Sequence, residues 1–149
     1  MRERESRRFL LDTNVFIAAF KSGYTKTARL LAELLASHEY ELVVNTILLR
    51  EYEKWLERLS EKIPQIRVRA QILYTLIKEK AVIVEPDREH IEACRPYIPE
   101  TEYADLYHAA TCLKAGAILV TNDKDFNRIK EAGIIEVWSI SKAIKEILE

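Results

Sequence analysis

Apolar and polar positions along this chain fall into runs that predict strands and helices in alternation. The first apolar run, Phe9-Leu10-Leu11, stops at Asp12-Thr13-Asn14 and reads as a buried strand that ends at a helix start. Thr13 or Asn14 then caps a short helix, and Thr25 or Thr27 a second one carrying Leu30, Leu31, Leu34 and Leu35. Glu41-Leu42-Val43-Val44-Asn45 is the next strand. Thr46 opens a long helix with Leu48, Tyr52, Trp55, Leu56 and Leu59 at helical spacing, and Pro64 lets another begin that runs through Ile66, Leu73, Leu76 and Ile77.

The alternation continues through the second half. Ala81-Val82-Ile83-Val84 is a third strand, after which Asp87 caps a short helix closing near Arg95-Pro96. A helix from Thr101 to Lys114 ends at Gly116, and Ile118 to Thr121 forms a fourth strand that also stops at an acid, Asp123. A helix from Phe126 to Glu131 ending at Gly133, a short strand from Ile134 to Val137 and an amphipathic helix from Ser141 complete the pattern. Strands alternating with helices imply right-handed crossovers and an α/β fold, a mostly parallel sheet covered on both faces. Such sheets place their sites beyond the carboxyl ends of the strands, where strand order reverses. Asp12 and Asp123 stand at two such ends.

Composition narrows this only a little. The 149 residues make a single domain over 1–149 with a core large enough to need no staples. Cys94 and Cys112 are too far apart for a CxxC motif, so a disulfide framework is not expected, and the apolar segment from Phe9 to Phe20 contains Asp12 and Asn14, so it makes a poor signal peptide or membrane span. The expected setting is reducing and cytoplasmic. Net charge is -1 with 32% charged residues of both signs, so nucleic acid can be bound only through local patches. The opening Met1 to Arg8 is expected to fray.

Two more acids change the picture. Glu51 borders the apolar face of its helix, four residues after Ile47 and four before Trp55. Asp105 shares a face with Ala109 and Cys112, and Glu102 precedes it by one turn. Taken singly, Asp12 and Asp123 fit helix caps and Glu51 fits a paired helix residue. Taken together, Asp12, Glu51, Asp105 and Asp123 would converge at one sheet edge and repel one another. A hard cation relieves that repulsion, and all-carboxylate ligands favour Mg²⁺ or Mn²⁺ over Zn²⁺. One or two such ions can activate water against a phosphodiester, which is nuclease chemistry.

On these residues the sequence resembles the PIN-domain family of metal-dependent ribonucleases, which includes the VapC-type toxins of toxin-antitoxin pairs. The likeness rests on Phe9-Leu10-Leu11-Asp12-Thr13-Asn14, Glu51, Glu102-Tyr103-Ala104-Asp105-Leu106-Tyr107-His108-Ala109-Ala110 and Leu119-Val120-Thr121-Asn122-Asp123-Lys124-Asp125-Phe126. It implies that Asp12, Glu51, Asp105 and Asp123 are the catalytic metal-binding acids, with Asp125 auxiliary and Thr121 or Asn14 hydrogen-bonding beside them. The family often has Asp where Glu102 stands. The resemblance further implies a three-layer α/β/α sandwich around a five-stranded sheet in order 3-2-1-4-5, an RNA substrate and, for the toxin branch, a small antitoxin partner.

Other residues carry weaker signals. Arg50, Lys54 and Arg58 recur at four-residue spacing beside Glu51 and could hold RNA phosphates, although the interleaved Glu53 and Glu57 equally describe a salt-bridged solvent face. His38, His90 and His108 lack ligand spacing, and His108 is expected on a helix surface, whereas Cys112, Tyr52, Trp55, Tyr74 and Tyr107 are expected to pack. Apolar residues from Ile66 to Ile77 cover more than one helix face and point to a homodimer or higher homo-oligomer. The rival readings are a catalytically idle module of the same fold that binds RNA or protein, and a phosphate-transfer domain built on Asp12. The second is disfavoured, since Thr13-Asn14 leaves no acid two places after Asp12.

Overall fold

The apolar runs become strands where consecutive residues are buried on both sides. Phe9, Leu10 and Leu11 are each at most 1% exposed, and because successive strand residues face opposite ways, both faces of the sheet are covered. The computed structural model describes residues 7–21 and 25–149. In chain order its main elements are β1 (Arg7–Leu11), α1 (Thr13–Lys21), α2 (Lys26–Ala36), β2 (Tyr40–Val44), α3 (Thr46–Lys62), α4 (Arg67–Lys80), β3 (Val82–Ile83), α5 (Arg88–Cys94), α6 (Tyr103–Ala115), β4 (Ile118–Val120), α7 (Asn127–Glu131), β5 (Val137–Trp138) and α8 (Ile140–Leu148). Every strand pair among the described residues is parallel, and the sheet order is β3-β2-β1-β4-β5. This is the three-layer α/β/α arrangement expected from the alternation. No helix among the described residues is long and apolar enough to cross a membrane.

Strand order reverses between β1 and β4, whose pairing sets Leu11 against Val120. The ladder runs one step beyond the strands, with Asp12 N–H donating to the Val120 carbonyl (3.1 Å) and Thr121 N–H to that of Trp138 (2.9 Å). The chain segments leaving β1 and β4 therefore abut.

Several boundaries differ from the sequence expectation for local reasons. Residues 1–6 lie outside the described residues, whereas Arg7 and Arg8 do not fray but begin β1, with Arg8 paired to Glu41 at 3.6 Å. The last strand forms at Val137–Trp138, not from Ile134: after Gly133 (φ 71°), the Ile134 N–H turns back to the Ile129 carbonyl and closes α7. The final helix starts one residue early because Ser139 caps it, its hydroxyl accepting from Lys142 N–H at 3.1 Å. Gly116 ends α6 in the left-handed region as expected (φ 66°).

Glu85, just past β3, binds three elements together. Its carboxylate accepts from the Thr46 N–H (2.6 Å) and hydroxyl (3.1 Å) at the start of α3 and from the Tyr107 hydroxyl of α6 (2.5 Å). A carboxylate at a helix N-terminus is favoured by the helix dipole. Both helices that carry sequence-predicted acids are thus fixed to the same sheet edge.

Candidate active site

Asp12 is buried (6% exposed) and serves two purposes. Its backbone carbonyl starts α1 by accepting from Val15 and Phe16, so the position before the helix belongs to Asp12, not to Thr13 or Asn14 as the sequence suggested. Its carboxylate meanwhile accepts from the Thr13 N–H (2.8 Å) and from the Thr121 hydroxyl (2.8 Å). Burial pushes the Asp12 carboxyl above its ordinary range, and the Thr121 hydrogen bond partly offsets this.

Thr13 and Thr121 link the acids into a chain. The Thr13 hydroxyl donates to Glu51 Oε2 (3.1 Å), while the Thr121 hydroxyl, besides donating to Asp12, accepts from Asp123 N–H (3.0 Å). Asp123 in turn accepts the Asp125 N–H (2.9 Å), which caps the short turn Lys124–Phe126. Asp105, Asp123 and Asp125 each offer a carboxylate oxygen within 4.8 Å of the other two. The structure therefore gathers Asp105, Asp123 and Asp125 tightly, joins Asp12 to them through Thr121, and sets Glu51 on the far side of Thr13.

Burial raises Asp105 to about 7, and the neighbouring charges of Asp12, Asp123, Glu102 and Asp125 push in the same direction. Glu102 itself is exposed at the start of α6. All the gathered donors are carboxylate oxygens, so the set fits a hard divalent cation better than zinc. A second acidic group, Asp87, Glu89 and His90, also lies within 4.8 Å, but Asp87 is paired to Lys114 (3.1 Å) and His90 Nδ1 accepts the Asp87 N–H (3.1 Å). Those contacts are those of a helix start.

A family model for the PIN domain matches residues 9–132. The chain belongs to the PIN-domain family. Its fold is similar to a chain of the VapBC2 structure from Rickettsia felis bound to a promoter DNA fragment, at 19% identity and TM-score 0.60, covering 89% of this chain and 98% of the other. It is similar also to a chain of VapBC-1 from nontypeable Haemophilus influenzae, at 20% identity and TM-score 0.58, covering 89% and 97%. No curated protein matches it.

Within this PIN domain the remaining expected site residues are spread more widely. Asn14 is exposed on the first turn of α1, and Arg50 and Lys54 are exposed on α3. Among the described residues neither Arg50 nor Lys54 forms an ion pair, while Arg58 lies 5.2 Å over the Trp55 ring. Thr121 is 4% exposed with its hydroxyl committed to Asp12 and Asp123, which leaves little of it to meet a substrate.

His108 is the residue that sequence reasoning misplaced. It is not on a helix surface but fully buried (0% exposed), with Nε2 2.5 Å from Glu51 Oε1 and Nδ1 3.1 Å from Asn45 Nδ2. A signal was available, since His108 shares a helix stripe with Thr111 and Cys112, both buried. Tyr52 packs as expected, stacked on Phe16 at 3.9 Å, and its hydroxyl donates to the Leu11 carbonyl, holding α3 against the end of β1.

Proposed function

We propose that this PIN domain is a Mg²⁺- or Mn²⁺-dependent endoribonuclease, the toxin of a toxin-antitoxin pair. The observation that carries the reading is the grouping of Asp105, Asp123 and Asp125 within 4.8 Å, with no Lys, Arg or His paired to them among the described residues. Asp12, Asp105 and Asp123 would hold one or two ions, Asp125 would assist, and Glu51 would complete the set across Thr13. Bound there, a divalent ion supplies an activated water and neutralises charge developing on the attacked phosphodiester.

The chain's own residues do the positioning. Thr121 keeps the Asp12 carboxylate and the Asp123 backbone in one register, and Thr13 does the same for Asp12 and Glu51. Arg50 and Lys54, exposed on the helix that carries Glu51, would take RNA phosphates. Both neighbours come from VapBC structures, which supports a small antitoxin as partner. Val68 and Ile72 on α4, 65% and 57% exposed, favour a homodimer. Light scattering that shows only monomer at micromolar concentration removes that part of the reading.

The decisive assay is cleavage of single-stranded and structured RNA with Mn²⁺ or Mg²⁺ by the wild type, Asp12→Asn and Asp105→Asn. Cleavage by the wild type alone is the expected result. Equal activity in all three sinks the assignment, and metal binding without cleavage converts it to an idle RNA- or protein-binding module.

A further inference from the structure

Hydrogen bonding in the core determines which nitrogen of His108 carries the proton. Asn45, the residue before α3, accepts the Leu48 N–H on its Oδ1 (2.7 Å). A backbone N–H can only donate, so the amide oxygen must face it and the amide nitrogen must face away. On that side Nδ2 donates to Thr111 Oγ1 (2.9 Å) and lies 3.1 Å from His108 Nδ1. The Thr111 hydroxyl spends its own proton on the Tyr107 carbonyl (2.9 Å) and so accepts from Asn45. An amide NH₂ has no lone pair to offer, so His108 Nδ1 must be the acceptor and the ring proton sits on Nε2. A doubly protonated ring would set two donors against each other where Asn45, His108 and Thr111 are all 0% exposed, an arrangement that costs the full desolvation of both.

We propose that His108 is a positioning residue for Glu51: a neutral imidazole whose Nε2–H, oriented by Asn45, holds Glu51 Oε1 while the Thr13 hydroxyl holds Oε2. The proposal rests on the reading of Glu51 as an acid of the site. With each oxygen carrying one donor, the side chain is fixed in one orientation, and its partly exposed edge (33% exposed) faces outward with lone pairs to spare. Glutamate has several rotatable bonds, and a carboxylate held this way presents itself to a cation without first losing that freedom.

The first test reads the proton directly. Long-range ¹H–¹⁵N spectra of the uniformly labelled protein should show one histidine, absent from His108→Gln, in the Nε2–H form at neutral pH. An Nδ1–H or doubly protonated ring at that position overturns the proposal. The second test is Mn²⁺ affinity by electron paramagnetic resonance, with folding checked by circular dichroism. His108→Leu removes the donor and should weaken binding about tenfold or more, in the range found for residues that orient metal ligands. His108→Gln, whose amide can accept from Asn45 and donate to Glu51, should recover most of that loss. A merely space-filling role predicts equal affinity for the two variants, since Leu fills the pocket as well as Gln does, and that result overturns the proposal. Glu51→Ala separates this proposal from the one beneath it. If that variant binds Mn²⁺ like wild type, Glu51 is no site acid and the positioning role falls with it. If it loses affinity while His108→Leu does not, the site stands and the positioning role alone is wrong.

Discussion

The two flanks of the acid cluster are built on opposite principles. On the Glu51 flank every carboxylate oxygen has a donor, from Thr13 on one side and His108 on the other. On the Asp105 flank, among the described residues, no donor serves Asp105, and burial, with the charges of Asp12, Asp123, Glu102 and Asp125 added to it, raises its carboxyl to about 7. One flank is complete as folded. The other holds mutual repulsion that only a proton or a cation relieves, so the protein has spent its donors on orienting the acids and left the counter-charge to come from outside.

Substitutions on the two flanks should then move stability in opposite directions. Asp105→Asn removes a source of repulsion, so the metal-free protein should melt higher, while RNA cleavage falls by ~100-fold or more as several kcal/mol of charge stabilisation is lost. Glu51→Ala should instead lower the melting temperature, because the buried Nε2–H of His108 loses its acceptor, at about 1–3 kcal/mol. Melting shifts of the same sign for the two variants break the contrast.

Thr121→Val tests the link between the flanks. It deprives Asp12 of a hydroxyl donor and the Asp123 N–H of an acceptor at a buried position. The expected cost is about 1–3 kcal/mol, read as a drop in melting temperature, together with weaker Mn²⁺ binding. Thr121→Ser, which keeps the hydroxyl, should restore most of both. Restoration of neither would mean that the methyl packing of Thr121 matters and its hydrogen bonds do not.

Acidity gives a third handle on the same asymmetry. Asp105 holds its proton more tightly when folded, up to about 7, than at its ordinary value of 3.8, and Asp12 is shifted in the same direction. Between those limits the folded state carries more protons than the unfolded chain, so stability falls as pH rises and levels off above about 7. Urea titrations of the chelated protein should show that decline, and Mn²⁺ should flatten it by replacing the proton. A chelated protein whose stability rises over the same interval contradicts the burial and crowding of Asp105.

These flanks were unequally legible in the sequence. Asp12 and Thr121 are 109 residues apart, yet their meeting follows from two similar apolar runs that each end in polar residues. Parallel neighbours in a sheet bring such ends together, so the long separation costs nothing to the inference. Asn45 and His108, 63 residues apart, meet inside the helix layer, where no period or run fixes which faces touch. The stripe that His108 shares with Cys112 could have turned it inward, but nothing in the chain names its partner, and Asn45 reads only as the end of a strand. The chain shows where acids are delivered but not which buried donors aim them. Similarly, the family resemblance made Asp125 only auxiliary, whereas the turn Lys124–Phe126 brings its carboxylate within 4.8 Å of Asp105 and Asp123.

The smallest expected effect concerns the rim of the Glu51 flank, where the protein does supply cations. Arg50 and Lys54 are exposed and form no ion pair among the described residues, so their charge is available to a ligand. If each neutralises one RNA phosphate, each contributes about 0.7 to the slope of log affinity against log salt for a single strand. In an Asp12→Asn background that does not cut the RNA, Arg50→Ala with Lys54→Ala should therefore flatten the slope by about 1.4 while changing affinity little at high salt. The same pair should leave Mn²⁺ affinity as it was, because Glu51 is held by Thr13 and His108 and, among the described residues, by neither of these side chains. A slope that stays put would place the RNA along another path, and the Asp105 flank, with its exposed approach beside Glu102, would then have to bind the phosphates through the metal alone.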